Sequence, residues 1–299
     1  MGRPGRRSPD PVAVTGASGM LGRHLCRLLS RRGWRVRALV RDPAAFSEEG
    51  VEVGRCALPE EIDESLLEGA SALVHCAYAT REVDPAKAER VNEEGTRRIL
   101  EASRRAGVRR FVFISSLVAH AAAPSYYGRS KFLLEGLLDP SRDLVVRPGL
   151  ILARQGEGLF QQMRETIRRA GWVPVFGGGK QPLQTVHVDD LCEGLARALE
   201  RDLTGALNVA EADPVSMSVF LRMLADRLGI RCTLVPLPLG LTIAGVRIAE
   251  ALRVPLPIRS ESLLGLKALR RVPVEADLSR LELNVRTAAE SLEDVVEIS

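Results

Sequence analysis

The sequence predicts a doubly wound α/β fold: a parallel sheet covered by helices on both faces, with a smaller, mainly helical C-terminal lobe. Three observations predict it. Near the N-terminus a short apolar strand runs into a glycine-spaced turn and then an amphipathic helix. Apolar strands alternate with helical patterns through the first half of the chain, and that regularity weakens beyond Pro148.

The first unit is Val12 to Val14, then Thr15-Gly16-x-x-Gly19-x-x-Gly22, then a helix with Leu21, Leu25, Leu28 and Leu29 on one face and a stop at Gly33. Binding a dinucleotide pyrophosphate requires this order. Gly16 permits the sharp turn, Gly19 lets the backbone approach the phosphates, and Gly22 lets helix and strand pack closely. The unpaired N–H groups of the helix N-terminus then face the anion, as in a Rossmann-type unit. Gly16, Ser18, Gly19, Met20, Leu21 and Gly22 are therefore the expected pyrophosphate contacts.

Trp34 to Val40 reads as the second strand, and Ser71 to Ala77, Phe111 to Ser115 and Leu144 to Arg147 as later ones. Helical patterns fall at about 60–69, at 87–106 (closed by Gly107) and at 128–138. Continuous apolar strands separated by helices argue for a parallel sheet buried on both sides. Beyond Pro148 the expected order is a helix around 158–170, a turn at Gly177-Gly-Gly179, a strand over 185–188 and a helix over 190–200. Residues 11–150 with about 183–212 are expected to form the dinucleotide-binding domain. About 151–182 with 213–299 would form the substrate-binding lobe.

At 299 residues the chain can bury a sizeable core. Its 45% hydrophobic and 27% charged content are those of a soluble globular enzyme. The net charge of +4 comes from scattered arginines on helical faces that also carry acids, and 4% aromatic residues leave little for base stacking. No nucleic-acid partner is expected. Five cysteines, none in Cys-x-x-Cys spacing, suggest reduced thiols and a cytoplasmic protein. Residues 1–10 read as a frayed basic tail rather than a signal peptide. Thr233 to Val246 is uncharged but shorter than the ~20 residues of a membrane span and interrupted by Pro236 and Pro238, so a buried helix or pocket lid is expected.

Tyr127 and Lys131 lie four apart at the start of a helical pattern, so their side chains share a face. A phenol with pKa near 10 is a poor acid–base catalyst at neutral pH. An adjacent ammonium favours the phenolate. Ser116, at the close of a buried strand, could bond a substrate oxygen. Ser116, Tyr127 and Lys131 together would polarise a carbonyl while hydride passes to or from a nicotinamide.

Taken in order, Thr15 to Gly22, His75-Cys-Ala77, Asn92-Glu-Glu-Gly-Thr96, Phe113-Ile-Ser-Ser116, Tyr127-x-x-x-Lys131, Arg147-Pro-Gly149 and His187-Val-Asp-Asp190 resemble the short-chain dehydrogenase/reductase superfamily. The resemblance is to its extended, NAD(P)-dependent epimerase/dehydratase branch, and covers about residues 11–210. It implies that Ser116 orients the substrate carbonyl, that Tyr127 is the general acid/base and that Lys131 binds the nicotinamide ribose while tuning Tyr127. Asn92 would steady the active-site backbone, the backbone around Ala77 would flank the cofactor, and Pro148 and Gly149 would border the nicotinamide. The sequence departs from the pattern twice. Ala57 stands where an acid usually contacts adenine, with Asp63 too far along to replace it. Ser116-Leu-Val-Ala119 lacks the acid that sugar-nucleotide dehydratases need.

At the end of the second strand, Val40 takes the place of the carboxylate that marks NAD sites, and Arg41 follows. A guanidinium suits a 2′-phosphate, so NADP(H) is preferred, with NAD(H) possible through Asp42. Arg23 could assist. Asp189 is expected to cap the helix at 190–200, His75 to be a satisfied core histidine, and no metal is expected. The first reading is an oxidoreductase reducing a carbonyl or oxidising an alcohol on a small organic substrate. The alternatives are a nucleotide-sugar epimerase with tightly bound NAD and a non-catalytic NAD(P)-binding scaffold or redox sensor. A homodimer through the helices at 87–106 and 128–138 is a family expectation.

Overall fold

The computed structural model describes residues 10–297 except 81, 83, 157, 253, 255–259 and 268. The tail expected over residues 1–10 lies, apart from Asp10, outside the described residues. The first half runs β1 (Val12–Thr15), α1 (Met20–Arg31), β2 (Val36–Val40), β3 (Val51–Ala57), β4 (Glu61–Ile62) and β5 (Ala72–His75). It continues with α2 (Pro85–Glu89), α3 (Gly95–Arg105), β6 (Arg110–Ile114), α4 (Tyr126–Glu135) and β7 (Leu144–Pro148). Next come β8 (Leu150–Leu152), α5 (Leu159–Ala170), β9 (Trp172–Phe176), β10 (Pro182–Leu183), β11 (Thr185–His187), α6 (Val188–Glu200) and β12 (Gly205–Val209). The last segment holds β13 (Val215–Ser216), α7 (Met217–Arg227), β14 (Thr233–Leu237), α8 (Leu239–Ala251), α9 (Ser260–Lys267), α10 (Glu275–Leu281) and α11 (Ala288–Val295).

The large sheet has the order β12-β7-β6-β5-β1-β2-β3-β4, parallel except for the β3–β4 pair. Alternating residues go to opposite faces. Val12, Val14, Val112, Ile114, Leu144 and Val146 pack with α1 and α6. Ala13, Phe111, Phe113 and Val145 pack with α3 and α4. Each fully buried Leu or Phe contributes roughly 1.5–3 kcal/mol, so both faces are strongly held. The chain leaves β1 toward β2 on one side and returns to β5 on the other. Ligands of open parallel sheets bind in the crevice at such a reversal, beyond the strand C-termini.

Several elements differ from expectation. Instead of a helix at 60–69 there is β4 and a single 3₁₀ turn, Glu64–Leu67, started by the Asp63 carboxylate, which accepts the Ser65 N–H at 3.2 Å. The helix expected over 87–106 contains a π-helical turn, Arg90–Glu94, between α2 and α3. The return of 183–212 to the main sheet is partial: β12 pairs with β7, whereas β11 pairs with β8 in a separate ribbon. The cap of α6 is His187, whose Nδ1 accepts the Asp189 N–H at 3.1 Å, so Asp189 lies inside the helix. Thr233 to Val246 is not a buried helix. Its first part is β14, paired with β9, and α8 lies largely on the surface. Around β8, β9, α5, α7 and α11 a third apolar cluster forms the core of the C-terminal part.

Candidate active site

The glycine turn closes over the switch point. Gly16 sits at φ +62°, and a Cβ there would lie 2.7 Å from the Ala77 nitrogen. The turn and the end of β5 therefore touch through backbone. A Cβ on Gly22 would come 2.3 Å from the Gly16 carbonyl oxygen, so helix and turn pack at a distance only glycine allows. Gly19 is the N-cap of α1, with no side-chain cap and no acid in the first turn. Ser18 and Gly19 are exposed, Met20 is half-buried, and Leu21 anchors the helix in the core. Open N–H groups at an uncapped N-terminus fit a pyrophosphate. One neighbour was not legible in the sequence. Gly156, at φ +126°, presses on Met20, since a Cβ there would fall 2.7 Å from its side chain.

The second half of the site lies beyond β6. Ser125 caps α4, its hydroxyl accepting the Gly128 N–H at 3.3 Å, which puts Tyr127 in the first helical turn. Ser116 lies two residues past the strand, and its loop is tied to β7 by the Leu117 N–H, which donates to the Pro148 carbonyl at 3.1 Å. Pro148 is itself buried. Burial pushes the Tyr127 phenol up, and a hydrogen bond with the Ser116 side chain pulls it partly back. Lys131 is buried, and its Nζ donates to the Ile114 carbonyl at 2.6 Å. The ammonium lies 3.8 Å from the ring centroid of Tyr78 and 4.6 Å from that of Phe113. Burial brings its pKa down to about 7, the nearby Glu135 carboxylate and the Cys76 sulfur opposing that shift. The ammonium is thus held by a strand carbonyl and two rings.

Tyr78, a residue the motif reading missed, completes this cluster. Its ring meets Tyr127 edge-on at 5.5 Å and its hydroxyl bonds the Ser130 hydroxyl. Behind it runs a buried hydrogen-bond chain. The Thr96 hydroxyl donates to the Asn92 carbonyl at 2.5 Å, so toward His75 it accepts, and His75 carries its proton on Nε2, 3.0 Å away. His75 Nδ1 then accepts from the Thr15 hydroxyl at 2.7 Å, and that oxygen in turn accepts the Ala77 N–H at 3.4 Å. Burial lowers the His75 pKa to about 3, which fixes the neutral ring this chain needs. Asn92 Oδ1 accepts the Ala79 N–H at 2.7 Å. Asn92 lies within the π-helical turn, from which it braces the loop. The backbone of 77–79 is thereby clamped from both sides.

Other candidates lie apart. Arg41 is exposed at the end of β2, while the Asp42 carboxylate is engaged as a cap, accepting the Ala44 N–H at 3.1 Å. Arg23 pairs with Glu48 at 3.0 Å and lies over the Phe46 ring. Asp63, being a cap, is not free for adenine. Tyr126, the neighbour of Tyr127, has its phenol pushed up to about 12 by burial. His187, Asp189 and Asp294 come together, but His187 Nε2 meets Asp294 at 3.1 Å and Arg286 pairs with Asp294 at 2.9 Å and Asp190 at 2.7 Å. The guanidinium supplies the positive charge there. Cys26, Cys56 and Cys192 are buried, and burial raises their thiols far from reactivity.

Similarities to known proteins agree with this geometry. The NAD dependent epimerase/dehydratase family profile matches residues 12–210. The chain is 33% identical over 240 residues to the ceramide reductase of Caulobacter vibrioides (strain NA1000 / CB15N), covering 76% of this chain and 73% of that protein. It is 30% identical over 309 residues to the 4-hydroxy-2-methyl-3-oxo-4-farnesyl-3,4-dihydroquinoline-1-oxide ketoreductase of Stigmatella aurantiaca, covering 90% of each. The solved structure of MoeE5 in complex with UDP-glucose and NAD superposes with a TM-score of 0.70 at 23% identity, over 94% of this chain and 96% of that one, a likeness of fold. The chain belongs to the NAD dependent epimerase/dehydratase family and is an NAD(P)-dependent enzyme of the oxidoreductase/epimerase type.

Proposed function

We propose that the protein is an NADP(H)-preferring oxidoreductase that reduces a carbonyl, or oxidises an alcohol, on a small hydrophobic organic molecule. The observation that carries this is Tyr127 in the first turn of α4, with the Ser116 side chain near its phenol and the buried Lys131 one helical turn on, at the C-terminal end of the strands where the glycine turn also lies. In this reading residues 11–150 with about 183–212 hold the dinucleotide, and about 151–182 with 213–299 hold the substrate.

When bound, the nicotinamide supplies or takes up the hydride. The Tyr127 hydroxyl delivers the proton to the carbonyl oxygen, or removes it from the alcohol. Ser116 orients that oxygen by a hydrogen bond, and the Lys131 ammonium holds the ribose and favours the phenolate once it leaves the Ile114 carbonyl. Asn92 is a positioning residue, acting through Ala79.

Preference for NADP(H) rests on Arg41, which is open to solvent, and on Asp42, whose carboxylate is occupied as a cap. A hydrophobic substrate is supported by the apolar cluster of Phe176, Val246 and Leu263 and by two relatives whose names specify a ceramide and a farnesyl compound. The test is consumption of NADPH by the purified chain with long-chain aliphatic ketones, followed through the absorbance of the reduced ring. Stoichiometric release of NADP⁺ is expected. A cofactor that stays bound and is never consumed would point to the epimerase reading instead.

A further inference from the structure

The helix α8 has an apolar surface that the described residues leave exposed. Its sequence, Leu239 to Ala251, carries only Arg247 and Glu250 as charges, and a helix that is apolar nearly all round is ordinarily buried. Here only Val246 is buried, while Leu241 is 75%, Ile248 63% and Leu252 71% exposed. Leu241, Gly245, Ile248 and Leu252 recur at helical spacing, so they form one stripe.

Charge around the stripe is mainly positive. Among the described residues between 239 and 271 the basic ones are Arg247, Lys267, Arg270 and Arg271, the last paired with Glu275 at 3.4 Å, and the acids are Glu250 and Glu261. Both acids are engaged by other residues of the chain. Glu250 accepts from the Ser260 N–H and hydroxyl at 3.0 and 2.7 Å, and Glu261 accepts the Tyr126 N–H at 2.5 Å. Arg247, Lys267 and Arg270 are exposed.

We propose that α8, with the exposed cations Arg247, Lys267 and Arg270, is an interfacial surface that seats this protein on an anionic phospholipid membrane. The stripe enters the acyl boundary while the neighbouring cations meet lipid phosphates, an arrangement that lies on a bilayer and does not span it. Among the described residues no helix is long and apolar enough to cross a membrane. Charge complementarity favours lipid over a second copy of the chain, whose matching face would carry the same excess of cations. The same unit touches the candidate site, since α9 packs on α4 and Glu261 holds the backbone of Tyr126. Resting on the proposed function, this identifies the substrate class as a membrane-resident amphiphile taken up from the bilayer.

The test is co-sedimentation of the full chain with vesicles of equal parts phosphatidylglycerol and phosphatidylcholine. The chain is expected to pellet with these, to stay in solution with phosphatidylcholine alone, and to be released by raised salt. Arg247→Glu, and separately Leu241→Gln with Ile248→Gln, each lower partitioning about tenfold, with melting temperature and NADP⁺ affinity unchanged. Tyr127→Phe binds vesicles like the parent even when turnover is lost, which separates docking from catalysis. No binding by the parent, or equal binding by the variants, overturns the proposal. A parent dimer that the Leu241→Gln, Ile248→Gln pair converts to monomer without weakening vesicle binding assigns the stripe to a second copy and overturns it as well.

Discussion

The Lys131 ammonium lies 3.8 Å from the centre of the Tyr78 ring, and it is Tyr78, through an edge-on contact at 5.5 Å, that links Lys131 to the phenol of Tyr127. Cation–π contact and the bond to the Ile114 carbonyl offset part of the cost of burying the charge. In Tyr78→Leu the ring contact is lost and the lysine pKa falls further. The pH dependence of turnover is expected to shift measurably in this variant, and its melting temperature to fall, read by thermal melts.

Lys131 also sets a pH dependence of stability. Its folded pKa, about 7, is below the unfolded value of 10.5, so between these limits the unfolded chain binds more protons. Stability from this group is complete above 10.5 and is lost as pH falls toward 7. Urea denaturation from pH 7 to 10 is expected to give a rising midpoint in the parent and a flatter one in Lys131→Met.

His75 acts at the other end of the scale. It is neutral in the folded chain, with a pKa of about 3, against 6.5 when unfolded. Its contribution is complete above pH 6.5 and disappears as pH falls through 3, because protonation would place a donor where Thr15 now donates. His75→Gln should remove much of the acid sensitivity seen in thermal melts between pH 4 and 6.5.

Asn92 clamps the loop beside the site. Asn92→Ala leaves the Ala79 N–H without its acceptor, at a cost of about 1–3 kcal/mol, and frees residues 77–79. A fall in kcat larger than any change in KM, visible in steady-state kinetics, is the expected signature of a positioning residue. Asn92→Asp, which keeps the acceptor, should recover part of it.

Arg41 decides the dinucleotide. Arg41→Ala should weaken NADP⁺ about tenfold or more and leave NAD⁺ nearly unaffected, since charge-assisted bonds to phosphate contribute about 1.5–3 kcal/mol. Isothermal titration with both cofactors reads this directly. A parent that prefers NAD⁺ would reverse the assignment.

Legibility in the sequence followed range of interaction. The β1–turn–α1 unit was readable because its glycine spacing, apolar strand and helical leucine stripe are all local. Tyr127 and Lys131 were readable for the same reason, being one helical turn apart. The chain Thr15–His75–Thr96–Asn92 was not: its members are 60 and 21 residues apart, and each alone looks like an ordinary polar residue. Tyr78 sits in no motif. At 60–69 the acids and leucines imitate a helix that Asp63 shortens to one 3₁₀ turn. The hydrogen bond of the Lys131 ammonium goes to a carbonyl in a strand seventeen residues earlier. The exposure of α8 could not be read either, since an uncharged run looks the same whether protein or lipid covers it.

The most direct measurement is Tyr127→Phe, assayed for NADPH-dependent ketone reduction and, on the same preparation, for NADP⁺ affinity. Loss of turnover by several orders of magnitude with the dissociation constant changed less than about threefold is the predicted result. Turnover equal to the parent's would contradict the role given to the phenol, whatever the cofactor affinity.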